Sequence, residues 1–218
     1  MPKAKKDLEK RSYEFEVRAE ERDDGNKIIT GRPIVYDSET DIGFFKEVIE
    51  RGALDEADLT DVRFLVNHNT DMIPLARSRR NNGNSTMQLS VDNEGLGIEV
   101  KLDTVNNTDA RSLYSAVERG DISGMSFMFS VTEEDWDNLD SDYPTRTIKK
   151  IGSVVEVSAV TWPAYEQTEI NARSKEALEN ARSAVETARQ QRSKSLESEK
   201  SNYVDLEKEK FKFKQIYN

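Results

Sequence analysis

The chain has 218 residues, 35% hydrophobic and 34% charged, with 32 Lys+Arg against 42 Asp+Glu for a formal net charge of -10. It has no cysteine and one histidine, which excludes disulfides, thiolate zinc sites, cysteine nucleophiles and zinc centres built on several histidines. Residues 13–171 carry net -16, while residues 1–12 and 172–218 each carry net +3, so the body repels nucleic-acid phosphates.

No apolar run approaches the roughly 20 residues of a spanning helix, and no membrane association is expected. The basic residues 1–12 lack an apolar signal region and are expected to form a flexible, solvated leader. Residues 13–19 alternate apolar and polar with period two and predict a half-buried strand. Residues 28–36 predict a second, with the turn at Asp23, Asp24, Gly25 and Asn26. Residues 62–69 (Val-Arg-Phe-Leu-Val-Asn-His-Asn) predict a strand ending near His68, on the face of Val62, Phe64 and Val66. A lone histidine in that position is most often structural. Residues 87–91 and 96–102 predict a hairpin over Asp92-Asn93-Glu94-Gly95. Ala110, Leu113, Tyr114 and Val117 recur at helical spacing, with Thr108 as the expected N-cap and Gly120 as the stop.

Two further strands carry candidate chemistry. In residues 123–131, Met125, Phe127, Phe129 and Val131 are expected on one face, and Ser126, Met128 and Ser130 on the other. Ser126 is not on a Gly-x-Ser-x-Gly elbow, because Met128 stands where the second glycine belongs. In residues 154–163, Glu156 interrupts a β-branched apolar run, where an unpaired carboxylate would cost several kcal/mol. An exposed strand face is the plain explanation; a basic partner is the other. One histidine, one glycine-flanked serine and one carboxylate in an apolar strand are the three roles of an acyl-transfer triad. Beyond residue 171, Ala177, Leu178, Ala181, Ala184, Val185 and Ala188 form a thin helical stripe, expected to be exposed and marginally stable. Tyr203, Leu206, Phe211, Phe213, Ile216 and Tyr217 form a small apolar cluster at the end.

The order Asn67-His68-Asn69, Pro74-Leu75-Ala76-Arg77, Gly95-Leu96, Ser123-Gly124-Met125-Ser126 and Glu156-Val157-Ser158-Ala159-Val160-Thr161-Trp162-Pro163-Ala164 resembles the prohead maturation proteases of tailed phages. The stretch from Phe44 to Leu54 is similar to that family's early F-x-E-x-I-x-x-G-A-F segment, whereas Ala76 stands where the family often has glycine. The resemblance covers residues 13–171. Several short strands with one or two helices predict an α+β, β-rich barrel. The resemblance implies that it is related to the herpesvirus assemblin proteases, with the protease domain at 13–171. Composition adds a basic leader at 1–12 and a helical or partly disordered tail at 172–218. The resemblance further implies His68 as general base, Ser126 as nucleophile, Glu156 as orienting acid, and Arg77 as a candidate for substrate positioning or the oxyanion. The implied partner is the major capsid protein with its scaffolding segment, met inside the assembling procapsid in the host cytoplasm. Self-association and self-cleavage are part of the same expectation, and no metal or organic cofactor is called for. Two rival readings are a non-enzymatic scaffold protein of the same fold and a carboxylate-driven hydrolase.

Overall fold

The computed structural model of the chain describes residues 8–13, 17–161 and 182–198. One sheet of seven strands runs β1 (Glu9–Tyr13), β10 (Gly124–Asp137), β11 (Thr145–Val160), β5 (Lys46–Ile49) and β4 (Thr40–Asp41) in that order. Two more strands complete it, with β6 (Arg63–Val66) pairing β11 and β7 (Ala76–Arg77) pairing β6. A second sheet takes β2 (Val17–Glu21), β3 (Lys27–Val35), β9 (Gly95–Leu102) and β8 (Met87–Asp92). The backbone of the first sheet is the long antiparallel pair β10–β11. Its outer edge on β11 is shared by two short parallel partners, β5 at Thr145–Ile148 and β6 at Glu156–Ala159.

The α+β class agrees with expectation, but the barrel does not close. Among the described residues one sheet ends at β2 and β8, the other at β1, β4 and β7, and no strand is shared between them. Closure is not needed for burial, because the sheets pool one apolar core. Ile29, Ile34, Leu96, Ile98 and Val100 from one join Phe64, Met125, Phe127, Phe129, Val157 and Ala159 from the other. The expected strand at residues 13–19 is also corrected: β1 and β2 are separate strands in different sheets. Residues 9–12 of the expected leader therefore lie in a ladder with β10.

The β8–β9 hairpin forms where expected, and its turn explains a glycine. Asp92 Oδ1 accepts from the backbone N–H of Glu94 at 2.8 Å and of Gly95 at 3.1 Å. Gly95 has φ of 140°, and a Cβ there would run into the Ile34 carbonyl of the adjacent β3. Gly95→Ala is expected to cost about 3 kcal/mol of stability through strain and overpacking. Urea unfolding checks this; an unchanged midpoint would mean that the turn relaxes freely.

Helix α1 (Thr108–Glu118) buries Ala110, Leu113, Tyr114 and Val117, the four residues of the expected stripe, against β2, β3 and β9. Its N-cap is Asn107, not Thr108: Asn107 Oδ1 accepts from Asp109 N at 2.9 Å and Ala110 N at 3.2 Å. Gly120 ends the helix with φ of 77°, its N–H bonded to Val117 O and that of Asp121 to Ala116 O, the paired bonds of a Schellman turn.

A second helix, α2 (residues 182–198), docks rather than standing free. Val185 and Ala188 are buried, and Val185 packs with Phe45, Ile42 and Trp136. Arg189 donates to the carbonyls of Leu139 at 2.9 Å and Ser141 at 2.8 Å. The narrow stripe thus has a narrow apolar target. Ala177, Leu178, Ala181 and the terminal cluster from Tyr203 onward lie outside the described residues.

Candidate active site

Strand β6 ends at Val66, and the next two residues, Asn67 and His68, have φ of 52° and 56°. With Asn69 N bonded to Val66 O at 3.0 Å, they have the φ signs of a type I′ turn. Left-handed backbone is uncommon outside glycine, asparagine and histidine being among the residues that adopt it most readily, and it persists where the surroundings hold it. Here Asn67 N–H donates to Ala159 O at 2.9 Å, Asn67 Oδ1 accepts from Thr161 N at 3.0 Å, and His68 N–H donates to Ser158 Oγ at 3.1 Å. The turn is stapled to the end of β11.

This turn corrects the expected facing of His68. The side chain is not an extension of the Val62–Phe64–Val66 row; instead Nδ1 lies 2.5 Å from Glu156 Oε1. Glu156 is aligned with Arg63 and Met128 across the ladder, on the face opposite core residues Phe64 and Phe127. Its carboxylate is 2% exposed, and its second oxygen accepts from Ser158 Oγ at 2.6 Å. Both oxygens are therefore partnered, which is what makes a buried carboxylate tolerable in an apolar strand. A carboxylate at Nδ1 accepts that atom's proton, so Nε2 is the ring nitrogen able to take another.

Ser126 sits in β10 directly across from Ser158 and on the same face as Glu156. The expected alternation holds: Met125, Phe127 and Phe129 are fully buried in the common core. One ladder pair thus links the serine to the residue that touches both His68 and Glu156. Ser158 was not singled out from sequence. Serine at i+2 from a buried glutamate was the available signal, since both then share a face. Ser126 itself is 0% exposed, and its Oγ donates to the Arg11 carbonyl of β1 at 2.7 Å.

Arg77 is on the edge strand β7, in the row Arg77–Arg63–Glu156. Its exposed guanidinium forks onto Asp61, Nε to Oδ1 at 2.5 Å and Nη2 to Oδ2 at 2.6 Å. That hydrogen bond and charge hold the Asp61 carboxyl below the usual carboxylate range. Among the described residues no three His, Asp or Glu side chains converge to hold a metal ion, nor is any helix long and apolar enough to cross a membrane.

A family model described as the caudovirus prohead serine protease matches residues 13–183. The chain belongs to this family. A prohead protease of Enterobacteria phage HK97 is 32% identical over 112 residues, covering 51% of this chain and 44% of that protein. The match therefore spans less than half of the relative's length. A solved structure of the bacteriophage T4 capsid assembly protease aligns with 71% of this chain and 99% of its own at 13% identity. Its TM-score of 0.33 is too low to establish a common fold.

Proposed function

We propose that this chain is a serine endopeptidase of capsid maturation, cleaving the scaffolding segment of the major capsid protein inside the procapsid. His68 acts as general base through Nε2, Ser126 attacks the scissile carbonyl, and Glu156 orients the imidazole and stabilises its charged form. The observation that carries this reading is the hydrogen bond from half-buried His68 to the buried Glu156 carboxylate, beside the Ser158–Ser126 pair. Ser158 is a positioning residue, fixing both the carboxylate and the His68 backbone. With its fork committed to Asp61, Arg77 suits receiving substrate at the rim of this face better than holding the oxyanion.

A non-catalytic assembly protein is the second reading, and the complete burial of Ser126 favours it. Co-expression with the capsid protein separates the two. Wild type is expected to shorten the capsid chain, seen by intact mass, and Ser126→Ala is not. Identical shortening with both would end the protease assignment for this serine.

A further inference from the structure

The edge of β10 that carries Ser126 is covered by the chain's own β1. The ladder pairs Glu9 with Phe129, Arg11 with Phe127 and Ser12 with Ser126, so the covering strand passes the serine along its whole length. At the crossing, the Ser126 hydroxyl proton is directed to the Arg11 carbonyl, and no solvent reaches the side chain. A nucleophile in this state neither meets substrate nor yields its proton to a base.

The strand is anchored from the opposite face by alternating charges. Arg11 Nε and Nη2 reach Glu47 at 2.5 and 2.7 Å, and Glu9 receives Arg146 Nη1 and Nη2 at 2.6 and 2.8 Å. Glu47 and Arg146 are 1% and 2% exposed and bonded to each other at 3.0 Å. They are register partners on β5 and β11, hence a prebuilt acid–base pair of the sheet. The Arg11 guanidinium also lies 5.7 Å from the centre of the Phe129 ring. An acidic and a basic side chain two residues apart on an extended strand match this pair, one charge to each.

Resting on the protease reading above, we propose that the β10 edge, with Glu47 and Arg146 beneath it, is a docking surface for an extended Glu-x-Arg peptide. Such a peptide binds by adding a strand. In the chain alone β1 is the resident occupant, closing Ser126, and an incoming segment of the same chemistry must displace it. Arg11 is the latch: without it Glu47 still has Arg146, so the sheet keeps its buried pair while the strand loses one of its two bidentate holds, the other being Glu9 on Arg146.

The test is the rate at which the full chain is labelled on serine by a fluorophosphonate, with amide exchange of β1 followed in parallel. Arg11→Ala is expected to unprotect the β1 amides, leave those of the β3–β9 ladder protected, and speed labelling at least about tenfold. Arg11→Lys, which keeps a cation for Glu47, is expected to stay near wild type. A synthetic peptide Leu-Glu-Lys-Arg-Ser-Tyr should slow labelling of Arg11→Ala, and the same peptide with alanine for arginine should not. Equal labelling of wild type and Arg11→Ala, with Ser126→Ala blank, overturns the inference and leaves the serine mechanism standing. β1 amides still protected in Arg11→Ala overturn the latch. No labelling of any variant although β1 is released removes the protease reading itself, and the inference with it.

Discussion

Alanine at His68 is expected to lower hydrolysis of a capsid-derived peptide by about 10⁶-fold, and alanine at Ser126 by as much. The double variant should lose no more than either single one, because base and nucleophile act as a unit. Glu156→Gln is expected to cost about 10⁴-fold. Its side chain keeps the shape but must place an NH₂ at one of two positions, facing either Ser158 Oγ or His68 Nδ1. Facing His68, it forces the ring proton onto Nε2, where it is useless to a base. Facing Ser158, it meets a hydroxyl that now has to turn and accept. Steady-state rates with the four variants check this, and a wild-type rate for Glu156→Gln would hand the orienting role to another residue.

The second large effect concerns stability. Arg146 is 2% exposed and joins Glu9, Glu47 and Glu134, with Nε to Glu134 at 2.8 Å. Arg146→Ala strips a buried carboxylate of a partner and should cost about 3–5 kcal/mol, a large share of the roughly 5–15 kcal/mol that holds a domain folded. The same network is sensitive to acid. Burial alone would raise the Glu9 carboxyl, but the hydrogen bond from Arg146 and the charges of Arg11 and Arg146 outweigh it and hold the pKa below 4.5. A depressed folded value adds stability at pH above the unfolded value and loses it as pH falls through the folded one. The urea midpoint is therefore expected to drop below about pH 4.5, and Glu9→Gln should blunt that drop. An acid response identical in wild type and Glu9→Gln would show that other carboxylates carry it.

Local chemistry made much of this protein legible from its residues alone. Alternation placed Met125, Phe127 and Phe129 in the core and Ser126 on the other face, because successive strand side chains point opposite ways. The stripe from Ala110 to Val117 gave α1, and Gly120 its end, because a left-handed residue closes a helix at low cost only as glycine. Glu156 stood out because a carboxylate in an apolar strand demands a partner, and the structure supplies His68. Glu47 and Arg146 each occupy inward positions of alternating strands, the same signal, yet neither announces its partner.

What the tertiary structure decided was everything that depends on which strands meet. Glu47 and Arg146 lie 99 residues apart and become neighbours only through the parallel β5–β11 ladder. The direction of His68 was set by a turn whose backbone is pinned from β11, so a rule of alternation along β6 could not find it. The open edges in place of a barrel follow from two sheets burying one shared core, a matter of packing between segments rather than of pattern within one. Residues 9–12 look like a solvated basic tail by composition. Only the free hydrogen-bonding edge of β10, and a buried acid–base pair matching Glu9 and Arg11, make them a strand, and those partners lie over a hundred residues away along the chain for Ser126 and Arg146.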